Sequence, residues 1–191
     1  GVAIDGSAEP APAEPPRVPE LGARLPSCIM QAAGCGLERP AWVESAAGFV
    51  TRWAVAKVDG KLRKEKDPTA LAKALLADGA FAERVFDQPI VELAEEGKLE
   101  RKQVAPLFAL AARVRSPVAQ DVALKVSVNS HATIAVNGAV VHDEDGDQHI
   151  LPDHRRVVVP LVAGWNDVVV RLEKTPPYAA ALVLRLRTVG G

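Results

Sequence analysis

The strongest constraint on this chain lies in its last seventy residues, where short apolar runs alternate with turn signals. Ile134-Ala135-Val136 and Ala139-Val140-Val141 flank Asn137-Gly138. That dipeptide tolerates the left-handed backbone of a two-residue type I′ turn, so the segment predicts an antiparallel hairpin. Ala163-Gly164-Trp165-Asn166 joins Val157–Leu161 to Val168–Leu172 and reads as a second hairpin. Residues 122–128, 132–136, 139–142, 155–162, 167–173 and 180–188 carry the apolar and β-branched content of strands. Short strands joined by tight turns make a β-sandwich.

Upstream, Phe49–Ala56 reads as the first strand of the sandwich, with Phe49, Trp53 and Val55 on one side and Arg52 on the other. Asp67-Pro68 supplies an N-cap and a first helical residue, Leu71, Leu75 and Leu76 give one apolar side, and Gly79 ends the segment. A short helix is expected there, covering an edge or an end of the sandwich. Val104–Val114 has a strand's apolar length despite its helix-favouring alanines and is expected to be one. Residues 81–100 carry no decisive pattern.

Residues 1–26 are rich in proline, alanine and glutamate without a hydrophobic period, which predicts an extended arm or tether that cannot fold alone. Such an arm becomes ordered only against a surface, and a partner is one candidate. A connecting segment, 27–48, contains Cys28 and Cys35, and the sandwich domain is expected over 49–191. The two cysteines could close a small disulfide loop in an oxidising compartment. They lack the second pair of a zinc site and the adjacent histidine of haem attachment. The start at Gly1, leading at once into Pro and Ala, suits the mature side of a removed export signal.

With 24 acidic against 23 basic side chains, no bulk attraction to nucleic acid or anionic lipid is expected. No run approaches the length of a membrane-spanning helix, so membrane contact is expected only through a partner or an N-terminal anchor. Aromatic residues make up 4% of the chain, so Val, Leu and Ala must fill the core and few rings are left for a binding platform.

Ile134 to His142, Val157–Leu161, Ala163-Gly164-Trp165-Asn166, Val168–Leu172 and Leu182–Leu186 together resemble the end of a galactose-binding-like jelly-roll domain. The resemblance covers roughly 104–188 and extends to Trp53 as the tryptophan of an early strand, although the Gly-Pro-Phe that often follows is replaced by Lys57-Val58-Asp59. It implies a carbohydrate-binding-module-like fold of exported bacterial proteins: a mainly β, antiparallel jelly-roll sandwich without catalysis, which often binds carbohydrate and uses no cofactor beyond an occasional structural calcium. One departure concerns binding. The aromatic residue that often precedes the hydrophobic-Asn-Gly element is Ala135 here.

Among residues able to carry chemistry, Asp143, Asp145 and Asp147, with Glu144 between the first two, surround Gly146 and are the candidate ligands of a structural calcium. Their spacing is not that of an EF-hand, and a solvated loop tip is the competing reading. His131, His142, His149 and His154, the last beside Asp153, suggest a metal or a general base. No His-Glu-x-x-His helix or Gly-x-Ser-x-Gly elbow supports them, so surface histidines are expected. Trp165 and Tyr178 are the candidate sugar-stacking rings, with Trp165 expected to pack over the sandwich end and Tyr178, after Pro176-Pro177, to be the more exposed. Trp42 and Phe49 are candidate anchors for the arm. The basic stretch Lys57, Lys61, Arg63, Lys64 and Lys66 is interrupted by Asp59 and Glu65 and reads as a solvated loop. No glycine-rich phosphate cradle is present.

These features lead first to a non-catalytic accessory subunit that docks on a larger extracytoplasmic bacterial assembly, its partners being protein subunits. The alternative from a different class is a carbohydrate-binding module using Trp165, Tyr178 and the acidic loop.

Overall fold

The computed structural model describes the backbone of residues 27–29 and, beyond it, residues 48–94, 104–146, 149–150 and 153–189. Two sheets face each other. The strands are β1 (Ser27–Ile29), β2 (Arg52–Lys57), β3 (Ala82–Val85), β4 (Val91–Ala94), β5 (Leu107–Ser116), β6 (Gln120–Val128), β7 (His131–Val136), β8 (Ala139–Glu144), β9 (Arg155–Leu161), β10 (Gly164–Glu173) and β11 (Ala180–Thr188), with one α-helix, α1 (Pro68–Ala77). The larger sheet runs β3-β2-β5-β10-β7-β8, and the smaller runs β4-β11-β6-β9. Counted from β4, the orders are first-eighth-third-sixth and second-seventh-fourth-fifth, which is a jelly roll. The strands β2 and β3 extend it beyond β5.

The core lies between the sheets, where Leu110, Ala112 and Val114 of β5, Leu124 and Val126 of β6, Val168, Val170 and Leu172 of β10 and Leu182, Leu184 and Leu186 of β11 pack together. Their spacing of two follows from strand geometry, which sends alternate side chains to opposite faces. Trp53 is fully buried in this core, and its indole N–H donates to the Val50 carbonyl at 2.9 Å. The reading of Phe49–Ala56 as one strand holds in part. Residues 48–50 pair with β11, Leu186 N donating to Gly48 O and Val50 N to Leu184 O, before the chain enters the other sheet as β2. Phe49 bridges to Arg185 there and lies under its guanidinium, 4.8 Å from the ring centroid.

The alanines of Val104–Val114 do not prevent a strand. Ala109 and Ala111 turn outward from β5, beside Ala54 and Ala56 of β2, and make a low surface on which α1 sits through Leu71, Ala72 and Leu75. The helix therefore covers the outer face of the larger sheet, not an edge or end as expected. Its start is the predicted one, with the Asp67 carboxylate accepting from Thr69 N at 2.9 Å and Pro68 in the first turn.

The Asn137-Gly138 hairpin forms, with φ of 50° and 83°, and joins β7 to β8. The second expected hairpin does not. β9 pairs with β6 and β10 pairs with β5 and β7, so Ala163-Gly164-Trp165-Asn166 carries the chain from one sheet to the other. The cause is Asn166, fully buried at this corner. Its amide accepts from Val162 N at 2.9 Å and donates to Val162 O at 3.0 Å, and it reaches Val114 O of β5 at 3.4 Å. Those bonds hold the incoming chain at the corner while β10 turns into the other sheet.

Ser27–Ile29 runs parallel to β5, with Cys28 in register with Val114. The arm over 1–26, Cys35 and hence the Cys28–Cys35 pairing, and Trp42 lie outside the described residues.

Candidate functional site

Three connections meet at one end of the sandwich: Asn129-Ser130 between β6 and β7, the segment after β8, and Lys174–Ala179 between β10 and β11. They are bonded to each other. Ser130 Oγ donates to Ala179 O at 2.7 Å and accepts from Thr175 N at 3.2 Å, His131 N donates to Thr175 Oγ1 at 3.3 Å, and Asn129 Oδ1 accepts from Ala181 N at 3.0 Å. Gly146 ties the segment after β8 to the same place, its N–H donating to Ser130 O at 3.0 Å. A Cβ there would stand 2.2 Å from the Val128 carbonyl oxygen, so only glycine allows this approach.

The acidic stretch is thereby positioned. Asp143, near the end of β8, accepts from Thr133 Oγ1 at 2.8 Å. His131 stands between two carboxylates: its Nδ1 is 3.0 Å from Asp145 Oδ1 and its Nε2 is 3.3 Å from Asp143 Oδ1. Each of these candidate calcium ligands thus turns an oxygen toward the imidazole. Asp147 lies outside the described residues, and among the described residues no group of three or more His, Cys, Asp and Glu is gathered that could hold a metal ion.

Tyr178 belongs to the same end. The Pro176-Pro177 peptide bond is cis and Tyr178 N donates to Thr175 O at 3.0 Å, closing a turn that leaves the ring half-buried. Trp165 does not join it. It lies at the opposite end of β10, whose ten residues span roughly 33 Å. There the Arg113 guanidinium sits 5.5 Å from its ring centroid and pairs with Asp167 at 3.3 Å. The two candidate rings cannot form one platform.

The histidines separate as well. His149 and His154 are exposed, and His131 is engaged by its two aspartates. His142, expected on the surface, is 7% exposed. A bulge explains it. Ala139 and Val140 of β8 oppose Val136 and Ala135, but His142 opposes Ile134, so Val141 is an extra residue and the alternation is reset. The inward position beside Ile134 then falls to His142. Its Nδ1 is 3.3 Å from Glu144 Oε1, and burial holds its pKa below the ordinary histidine value against the opposing pull of Glu144. With Glu144, Gly146, His154 and Arg155 it lines a shallow recess between the facing edges of the two sheets. Nothing in the local sequence marks the bulge.

No family model matches the chain, and no curated protein sequence matches it. Its likenesses are to solved structures. The PA14 sugar-binding domain from an RTX adhesin is 16% identical, with a TM-score of 0.46 over 76% of this chain and 92% of that one. A β-glucosidase from Kluyveromyces marxianus is 12% identical, with a TM-score of 0.46 over 72% of this chain, which spans only 14% of the enzyme. A family 35 carbohydrate-binding module from Clostridium thermocellum is 15% identical, with a TM-score of 0.33 over 53% of this chain and 90% of the module. The jelly-roll architecture rests on the chain's own strand order.

Proposed function

We propose that the chain is a non-catalytic carbohydrate-binding module whose site is the loop end built by Tyr178, His131, Asp143 and Asp145. The observation that carries the reading is the placing of Tyr178, the one tyrosine of the chain, half-buried on a bonded turn at the end where Asp143 and Asp145 stand exposed. An aromatic face takes the C–H side of a sugar ring, and exposed carboxylates, steadied by the imidazole between them, accept hydrogen bonds from its hydroxyls. The reading rests on these residues; the PA14 domain is itself a sugar-binding domain and the family 35 module a carbohydrate-binding one. It puts the chain outside the cytoplasm, as the galactose-binding-like resemblance implies. No helix among the described residues is long and apolar enough to cross a membrane.

The test is a glycan array followed by calorimetry on the full chain. The expected result is a glycan hit whose affinity falls at least tenfold in Tyr178→Ala and in Asp143→Asn, with unfolding midpoints retained. Absence of any hit, or affinity unchanged in both variants, overturns it.

A second reading, the accessory subunit, has its own support at the far edge of the larger sheet. β3 is fully exposed, with Val85 at 62% and Ile90 nearby at 41%, and an edge strand is a ready template for pairing with another chain. Native mass spectrometry from the source cells separates the readings: a stoichiometric complex lost on deleting residues 1–26 favours the subunit, and a free monomer with glycan affinity favours the module.

A further inference from the structure

Beside the loop end, one ring nitrogen is left without a partner. Nε2 of His142 is buried and makes no hydrogen bond, on a residue only 7% exposed. The ring is held as it stands: its Nδ1 is 3.3 Å from Glu144 Oε1, and Arg155 of β9 donates through Nε to the same oxygen at 3.1 Å. Buried polar atoms are ordinarily paired with protein, ordered water or a ligand, so an orphan of this kind calls for a group that completes it.

His142 lines the recess where β8, the edge of the larger sheet, meets β9, the edge of the smaller one. The recess has a volume of about 10 Å³, room for one water-sized group. Its lining is of two kinds. Val126 and Val128 of β6 form an apolar wall, and His142, Glu144, Asp145 and Arg155 supply polar atoms. Asp145 also belongs to the loop end, where its carboxylate stands 3.0 Å from His131 Nδ1, so the recess adjoins the proposed sugar site.

A hydroxyl both donates and accepts, so it completes Nε2 whichever ring nitrogen carries the proton, and its remaining capacity can meet a carboxylate of Glu144 or Asp145. To reach a residue so deeply buried, the hydroxyl has to stand off the sugar ring. Secondary hydroxyls sit directly on ring carbons. The primary hydroxyl of a hexose stands one methylene further out, and that methylene matches the valine wall. A uronic acid carries a carboxylate in its place. That charge would face Glu144 and Asp145, while Arg155, the arginine of the lining, is already bonded to Glu144.

We infer that the β8–β9 recess is the subsite for the exocyclic hydroxymethyl group of a hexose bound at the loop end, with His142 Nε2 as the hydrogen-bond partner of its hydroxyl. The site then selects hexoses over the matching pentoses and uronic acids, and His142 is its specificity-determining residue. This rests on the sugar-binding reading of the loop end.

The test is calorimetry on the full chain with methyl glycosides taken in pairs of matched anomeric geometry: glucose and xylose, galactose and L-arabinopyranose, mannose and lyxose. The members of each pair differ only in the hydroxymethyl group. Where the hexose binds, its pentose is expected to bind about tenfold more weakly, and the matching uronic acid no better than the pentose. In His142→Phe, which keeps a ring and loses Nε2, the hexose is expected to fall to the level of its pentose while the loss caused by Tyr178→Ala persists. The nitrogen NMR signal of His142 Nε2 in the natural chain is expected to move with the hexose and not with the pentose. Equal affinities within a pair, still lowered by Tyr178→Ala, overturn the inference and leave the sugar-binding reading standing. Binding of none of the three hexoses also overturns it, and the glycan array then decides whether the reading falls with it. The natural chain alone settles these outcomes if His142→Phe does not fold.

Discussion

The side chains of Asn137 and Asn166 are hydrogen-bonded to each other, Nδ2 of the first donating to Oδ1 of the second at 2.8 Å. Asn137 belongs to the turn of the β7–β8 hairpin and Asn166 to a corner between the sheets, so the bond joins a hairpin turn to a crossing from one sheet to the other. Asn137 also accepts from Asp167 N at 3.0 Å. Replacing Asn166 by Ala leaves Val162 N, Val162 O and Asn137 Nδ2 without their partner in a buried corner. The loss is expected to be about 2–4 kcal/mol, read as a lower urea midpoint at unchanged slope. A cycle with Asn137→Ala is expected to show a coupling of about 1 kcal/mol.

Gly146→Ala is expected to destabilise by about 1–3 kcal/mol, because the added methyl meets the Val128 carbonyl oxygen at 2.2 Å and the backbone on both sides must move. Thermal unfolding measures it. The same variant is expected to weaken glycan binding through displacement of Asp145, whereas Gly79→Ala, with nothing within 4 Å of the new methyl, is expected to leave binding unchanged.

Stability is expected to decline on mild acidification. His142 has its folded-state pKa below the ordinary 6.5. The unfolded chain therefore takes up the proton first as the pH falls. The folded state loses stability through about pH 6.5 and stops losing it once the folded-state pKa is passed. Chemical denaturation at pH 7.5, 6.5 and 5.5 checks the sign, and His142→Gln is expected to remove this part of the slope.

Trp165→Ala is expected to lower stability by about 1–2 kcal/mol through loss of its packing and of the Arg113 contact at 5.5 Å. Its glycan affinity is expected to match the natural chain, in contrast to Tyr178→Ala. Calorimetry on both variants distinguishes them; a loss of affinity in Trp165→Ala alone would move the site to the other end of β10.

The hairpin at Asn137-Gly138 was legible because its cause is local: two residues that accept positive φ between apolar runs. The start of α1 was legible for the same reason, Asp67 and Pro68 lying within one turn of the bond they organise. His142 was not. Its burial depends on the extra residue at Val141, and a bulge is a property of two strands paired together. Tyr178 could be singled out from Pro176-Pro177, but the loop end it shares with His131 and Asp145 is assembled from distant segments, tied through Thr175 and Ser130 only in three dimensions.

By itself the sequence determined the strands and turns downstream of Val104, though not β3 and β4 within the patternless 81–100, because alternation of side chains and the φ preferences of Asn, Gly and Pro act within a few residues. Tertiary structure alone decided which sheet each strand joins. Ala163-Gly164-Trp165-Asn166 has the same local chemistry whether β10 folds back beside β9 or crosses to β5. Bonds from Asn166 to Val114 and Asn137, 52 and 29 residues away, settle it. The placing of α1 was decided in the same way, by alanines of β2 and β5 that make one low surface only when those strands lie side by side.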